Sequence, residues 1–464
     1  MPLPVIAIFD IGKTNKKLFL FNESYEIVFE KSAHFAETVD EDGDPCENIY
    51  SLQSFIRDGL KEVLDSKDFN VRAINFSAYG ASFVYLDEAG KNIGALFNYL
   101  KAYPPTLQKQ FYDTYGGEKL FSFQTASPVL GSLNSGMQLY RLKYQKPDFF
   151  HRIKYALHLP QYLSYLVSGK PFSEITSIGC HTNLWHFQNM EYHYWVRREG
   201  IQEKFPALAP SDMVVQPVDR EDSPFVGIGL HDSSAALIPY IVSFPDPFVL
   251  LSTGTWAISL NPFNQSPLTK EELDCDCLCY LQFKGTPVKA SRLFAGHHHE
   301  VQTERIASHF NQSKDRYFKL ELDKEILSKI DTSYDEKADT KTILQDLRFA
   351  TRDLSEFSND AEAYHQLIFD LVVQQYASTQ LIVKGTGVKR IFVDGGFSNN
   401  SIYMNLLAAF FPEMDVFASS IPQATAIGAA LAIHDTWNPD PFPAQIIHLK
   451  HYPVQAVFVI NPSK

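Results

Sequence analysis

No stretch of this chain approaches the roughly 20 consecutive apolar residues that a membrane-spanning helix needs. The N-terminus also lacks the basic, apolar and small-residue pattern of a secretory leader. Membrane insertion and secretion are therefore not expected, and the cytoplasm is the expected compartment. Cysteine is scarce, five in 464 residues and an odd number, which excludes a disulfide framework and suits a reducing environment. Positive charge is in deficit: 41 Lys and Arg stand against 54 Asp and Glu, a formal −13. That balance argues against broad contact with nucleic acid or a membrane surface, though not against one small anion held by local dipoles. Low-complexity tracts are absent too. What remains is an ordinary globular composition, 45% hydrophobic and 20% charged, in a chain long enough for two or three domains.

The first informative stretch is the start. Val5-Ile6-Ala7-Ile8-Phe9 leads to Asp10, crosses Gly12-Lys13-Thr14-Asn15, and continues through Leu18-Phe19-Leu20-Phe21. Two apolar runs around a short polar turn read as strand, turn, strand. A nearly buried aspartate is costly unless something pairs with it, and a cation is one common partner. The turn offers backbone N–H groups, a hydroxyl and lysines to a polyphosphate. Gly12-Lys13-Thr14 imitates the end of a P-loop, but Ala7 stands where the first glycine belongs and no helix pattern follows, so that mechanism lacks its scaffold.

Other lookalikes fail on spacing. Asp40, Asp42 and Asp44 have calcium-loop spacing, yet Pro45 and Ser51 occupy the positions that need Gly and Glu; a solvated acidic turn is expected. Cys275, Cys277 and Cys279 lie near His297, His298 and His299, but C-x-C-x-C is not a zinc spacing.

The rest of the chain reads as α/β. A helix is expected over 50–65 and strands over 71–77 and 83–86, then mostly helix from 115 to 200, including the aromatic segment around Trp185 to Arg198. Trp185, Tyr192, Tyr194 and Trp195 are read as packing residues. Phe225 to Leu230 forms a strand reaching His231-Asp232, where a small-residue helix begins. A helix N-terminus suits a negative side chain, so Asp232 is equally a capping residue or a functional one. After Pro245-Asp246-Pro247, a domain boundary, Phe248 to Leu260 repeats the opening hairpin around Ser252-Thr253-Gly254-Thr255, without its aspartate. The repetition points to duplicated halves, 1–244 and 245–464. Residues 311–360 read as a charged, mostly helical insertion. A long helix from Ala361 to Lys384 precedes a strand that runs into Asp394-Gly395-Gly396, where paired glycines let a ligand approach the backbone. A small-residue helix over 422–434 and a last strand at Val454 to Ile460 complete the expectations.

An Asp hairpin, a His-Asp corner, a Ser-Thr-Gly-Thr hairpin and a Gly-Gly loop, in that order, resemble the FGGY family of carbohydrate kinases in the actin-like ATPase superfamily. Tyr79 to Asp87, Leu157 to Gly169 with Ser173 to Thr176, Gly229 to Ala236 and Leu251 to Trp256 follow the pattern of its rhamnulose-phosphorylating members. The resemblance implies two ribonuclease-H-like domains with an active-site cleft between them, and transfer of the ATP γ-phosphoryl group to a hydroxyl of a ketose. L-Rhamnulose is favoured, with L-fuculose or D-xylulose next. Mg²⁺ would sit at Asp10, with Asp232 as catalytic base. Lys13, Thr14, Asn15, Thr253, Gly254, Thr255, Gly395, Gly396 and Asn399 would face ATP; Gly80, Ser82, His231 and Asp232 would face the sugar. A homodimer is the expected assembly where one forms, and an inactive regulator on the same fold is the alternative function. Three departures from the family pattern stand out: Ser82 replaces an Asp, Phe97 to Lys101 replaces an Asp-x-Arg segment, and Gln423 replaces a Glu. The first two bear on the sugar side, where His297, His298 and His299 become further candidates.

Overall fold

Strands β1 (Leu3–Ile11) and β2 (Lys16–Phe21) form the opening hairpin, in which Asp10 stands opposite Lys17. The computed structural model describes every residue except 217–222, 334–338, 444–445 and 455–464; the strand expected at Val454 to Ile460 falls outside the described residues beyond Val454. Val5 to Phe9 are completely buried, as a central strand covered on both faces requires, so the run is continuously apolar rather than alternating. β3 (Ile27–Ala33) adds to β2 antiparallel. The chain then crosses through α1 (Ile49–Leu64), whose N-cap Asn48 accepts the Tyr50 and Ser51 amides and whose Leu52, Phe55, Ile56, Leu60 and Val63 are buried. It returns as β4 (Phe69–Ala78), parallel to β1 with Asp10 beside Ser77. Strands β5 (Val214–Val215), β6 (Phe225–Gly227) and β7 (Leu230–His231) finish this sheet, β6 and β7 both parallel to β4. Helix α2 (Asp232–Ser243) follows β7 directly.

The second sheet repeats the plan. β8 (Phe248–Thr253) and β9 (Ala257–Asn261) form the second hairpin; β10 (Cys277–Leu281) and β11 (Pro287–Leu293) follow, then helices α3 (Ala295–His309) and α4 (Asp360–Val383). β12 (Arg390–Gly395) lies parallel to β8, α5 (Ser401–Phe410) precedes β13 (Asp415–Ser420), α6 (Ala424–Ala432) comes next, and β14 (His448–Tyr452) pairs with β13. The strand orders β3-β2-β1-β4-β6 and β11-β9-β8-β12-β13 are the same, three antiparallel strands joined to parallel ones. This is the duplicated ribonuclease-H-like plan expected of an actin-like ATPase fold.

The chain divides into two compact units: Met1–Ser243 with Cys279–Pro287 and Gln423–Ile446, and Phe244–Leu278 with Val288–Pro422 and Ile447–Lys464. The first crossing falls between Ser243 and Phe244, and α6 belongs with the first unit. Gly428 makes that possible, because a Cβ there would stand 1.9 Å from the Ala235 carbonyl oxygen of α2.

Several local expectations change. Trp185 to Arg198 is a short hairpin (Trp185–His186 with Glu191–Tyr192) and a single turn of helix, not a continuous helix. Trp185, Tyr192 and Trp195 do pack, with Trp195 edge-on to Phe111 at 5.0 Å, while Tyr194 is half exposed. The described part of 311–360 consists of short helical segments of three to six residues separated by loops. The acidic turn is not merely solvated: Lys101 Nζ lies 2.6, 2.8 and 2.7 Å from Asp40, Asp42 and Asp44, so an ammonium fills the place of a cation. Among the described residues that trio is the one group with metal-holding spacing, and it includes no cysteine or histidine.

Candidate active site

Asp10 sits at the end of β1, where burial pushes its carboxyl up from 3.8 to about 6. The hydroxyl of Thr425 opposes the rise by donating to Oδ2 at 2.7 Å; the charge of Asp232 adds to it and Lys17 counters it. Thr425 is 415 residues away in sequence, on the first turn of α6, and nothing local in the sequence marked it. A buried carboxylate with excess negative charge and hard oxygen donors suits a divalent cation such as Mg²⁺.

Asp232 opens α2, with its side chain about one-third exposed. Its Oδ1 accepts the Ser233 amide at 2.7 Å and the Ser233 hydroxyl at 3.3 Å. His231 Nε2 lies 3.2 Å from the same oxygen. Burial holds the His231 imidazole below its ordinary pKa, against the pull of Asp232. Its Nδ1 lies 3.4 Å from the Ser234 hydroxyl, which donates to the Leu281 carbonyl at 3.3 Å. Oδ1 thus accepts two hydrogen bonds, both from Ser233, and faces the edge of the His231 ring. Among the described residues Oδ2 carries no bond.

Gly80 lies behind this histidine. A Cβ there would meet the His231 ring at 2.6 Å, so glycine makes room for the imidazole. His181 and Tyr280 flank His231 with ring centroids 6.2 and 6.1 Å away. Tyr99 stacks obliquely on Tyr79 at 5.7 Å and feels the Asp232 charge; its segment is anchored by Lys101. Ser82, expected at the sugar, is buried and gives its proton to the Phe97 carbonyl at 2.9 Å. It supports that segment instead of presenting its hydroxyl.

In the first hairpin turn Gly12 N–H donates to Asn15 O at 2.9 Å, and Thr14 and Asn15 are exposed. Lys13 pairs with Glu37 at 3.0 Å. The organising lysine is Lys16: buried against Glu47 at 2.6 Å, it also donates to the Lys13 carbonyl at 2.9 Å. Glu47 in turn accepts the Tyr79 hydroxyl at 2.6 Å, so one buried ion pair ties the turn to the Tyr79-Gly80 corner.

The second unit has its own pocket, about 300 Å³, lined by Thr253, Gly254, Thr255, Gly396 and Asn399 from the expected set and by Gly296, His299, Glu300, Phe397 and Asn400. The Thr253 hydroxyl donates to Asp394 O at 2.5 Å and accepts the Phe397 amide at 3.0 Å. It fastens hairpin to Gly-Gly loop, and is committed there. Gly395 has φ +88°, and a Cβ would stand 1.9 Å from Thr253 O; only glycine fits. Gly296 is held equally close to Gly254 O. The three histidines lie near the start of α3; His299 bonds the Tyr364 hydroxyl at 2.9 Å, and burial pushes its pKa down to about 4. It lines the pocket of the Ser-Thr-Gly-Thr hairpin.

Two family models account for most of the chain. The N-terminal domain of the FGGY family of carbohydrate kinases matches residues 5–238, and the carbohydrate kinase FGGY C-terminal domain matches residues 245–441. A rhamnulokinase of Yersinia pestis (strain Pestoides F) is 24% identical over 286 residues, covering 58% of this chain; the match spans 56% of that relative's length. The fold is shared with a carbohydrate kinase from Novosphingobium aromaticivorans (TM-score 0.77, 21% identity, 98% and 95% of the two chains). A xylulose kinase from Rhodospirillum rubrum has it too (TM-score 0.78, 13% identity, 97% and 94%). No helix among the described residues is long and apolar enough to cross a membrane. With both of its halves matched, the chain belongs to the FGGY family of carbohydrate kinases.

Proposed function

We propose that this protein transfers the γ-phosphoryl group of ATP to a hydroxyl of a ketose, L-rhamnulose first and L-fuculose or D-xylulose next. The observation that carries the reading is Asp232, one oxygen held by the Ser233 amide and hydroxyl beside the His231 ring and the other left for the proton of an acceptor hydroxyl. Family membership and a relative named rhamnulokinase support the acceptor class. In this reading the first unit receives the sugar beside His231, Tyr99 and Gly80, and Asp232 takes the proton as the hydroxyl attacks. Asp10, steadied by Thr425, holds Mg²⁺. The cation supplies charge neutralisation at the phosphates when bound. The exposed backbone of Gly254, Thr255, Gly395 and Gly396, with Asn399, receives the nucleotide; Lys13, Thr14 and Asn15 offer a second set of phosphate donors. Sugar-dependent ADP formation, measured with Mg²⁺ over a panel of ketoses and polyols, tests this. Asp232→Ala is expected to lower kcat by about 10²–10⁴, or about 3–5 kcal/mol in the barrier. Absence of turnover with every sugar, or a fully active Ala variant, refutes it.

A further inference from the structure

The orientation of Asp232 has a support that lies outside the site. Glu174 is completely buried, and no lysine, arginine or histidine pairs with it among the described residues. Its carboxylate instead collects four donors: the Thr176 amide at 2.8 Å, the Ser177 amide at 2.9 Å, the Thr176 hydroxyl at 2.7 Å, and the Ser211 hydroxyl. Thr176 has one hydroxyl proton, and Glu174 takes it. The Thr176 oxygen is then an acceptor only, and what it accepts is the backbone N–H of His231 at 3.0 Å. The polarity of the chain is therefore fixed: His231 N–H to Thr176 Oγ1 to Glu174. It starts at His231, whose ring edge lies 3.2 Å from Asp232 Oδ1 and whose carbonyl begins the peptide of Asp232 itself.

A plain helix cap would not need this arrangement. The turn that Glu174 caps is four residues long, and a Ser, Thr or Asp could cap it without the cost of burying a longer carboxylate. Burial pushes the Glu174 carboxyl above its usual range while the Ser211, Thr176 and Ser177 donors oppose the rise; satisfied at both oxygens, the group makes a stiff anchor. An amide is the wrong replacement. Each oxygen of Glu174 accepts two of the donors, so a glutamine would turn an NH₂ group toward two of them in either orientation.

We infer that Glu174, acting through the Thr176 hydroxyl on the His231 amide, is a positioning residue that sets the angle of Asp232 toward the acceptor hydroxyl. This rests on the function proposed above. The test compares Thr176→Ala, Thr176→Ser and Asp232→Asn with the unaltered protein, reading kcat, KM for sugar and ATP, and the unfolding midpoint. Loss of alignment without loss of binding predicts that Thr176→Ala lowers kcat roughly tenfold with both KM values within about twofold. Thr176→Ser, which keeps the oxygen, restores kcat. Should Thr176→Ala fail to fold, Ser211→Ala removes one donor from Glu174 without touching Thr176 or His231, and a fall in kcat at constant KM is again expected. Wild-type kcat in the Ala variant, or a Ser variant as slow as Ala, overturns the inference. An active Asp232→Asn variant overturns the base assignment itself, a distinct outcome.

Discussion

At the scale of single residues, Asp10 is held where it is poorly solvated. Its carboxyl binds a proton more readily in the folded protein than in the unfolded chain, because burial raises it from 3.8 to about 6. The stability linked to that proton is present in full below the unfolded value near 4, and is lost as pH rises through about 6. By neutral pH the ionised group costs on the order of 3 kcal/mol in the ligand-free protein. Asp10→Asn should therefore melt higher than the unaltered protein at pH 8 without ligands, with the gap closing toward pH 4, and should abolish turnover. Thermal midpoints across that range check it, and a lower midpoint for Asn at pH 8 would sink the argument. Asp10 and Asp232 were legible in the sequence because each ends a strand in a turn, where a lone carboxylate stands out. Thr425 was not: it looks like one more small residue in a helix, and its meaning comes from an aspartate 415 positions away. Glu174 and Thr176 were hidden differently, inside a motif whose residues signal only a short turn.

At the scale of elements, the two hairpins and the Gly-Gly loop could be read from local sequence because strand alternation and turn chemistry act over a few residues. The aromatic segment from Trp185 could not. Its rings recur at helix-like spacing, yet they fill a cluster around Phe111 that tertiary packing, not periodicity, dictates. Close backbone approach yields a sharp expectation at β12. Gly395→Ala combines φ +88° with a Cβ 1.9 Å from Thr253 O, so the loop must move away from the hairpin. We expect ATP affinity to fall at least about tenfold, as titration calorimetry with a nonhydrolysable analogue would show, with sugar affinity unchanged. The segment of Tyr99 gives a second. Lys101→Met leaves Asp40, Asp42 and Asp44 facing one another without their ammonium. A loss of about 3–5 kcal/mol in urea unfolding is expected, because Asp40 is buried. At a temperature where the variant stays folded, KM for the sugar should rise as Tyr99 loosens, while KM for ATP holds. A variant as stable as the original would show that Lys146, 2.8 Å from Asp42, is counter-charge enough for the trio.

At the scale of the whole molecule, a break at 244/245 looks from the sequence like a place to cut. The first unit also includes 279–287 and 423–446, however. Helix α6 brings Thr425 to Asp10 and offers the Ala429 carbonyl to Asn75 at 2.8 Å. It also buries Ile427 and Leu431, each 4% exposed or less. Those two side chains alone are worth about 1.5–3 kcal/mol each, and the Asn75 amide nitrogen, left without the Ala429 carbonyl, adds about 1–3 kcal/mol. Against a net stability of roughly 5–15 kcal/mol for a domain, the deficit is of the same order as what holds the fold together. A 1–244 fragment should therefore lack a sharp urea transition and bind a hydrophobic dye. Joining 423–446 to it through a flexible linker should recover much of the transition, since α6 supplies its contacts by docking against α2 and β4. Cooperative unfolding of the short fragment at the full-length midpoint would mean that α6 is dispensable to the first unit. Recovery by the linked version, with Gly428→Val in the same context abolishing it, would assign the effect to the α2–α6 contact, where a Cβ has no room.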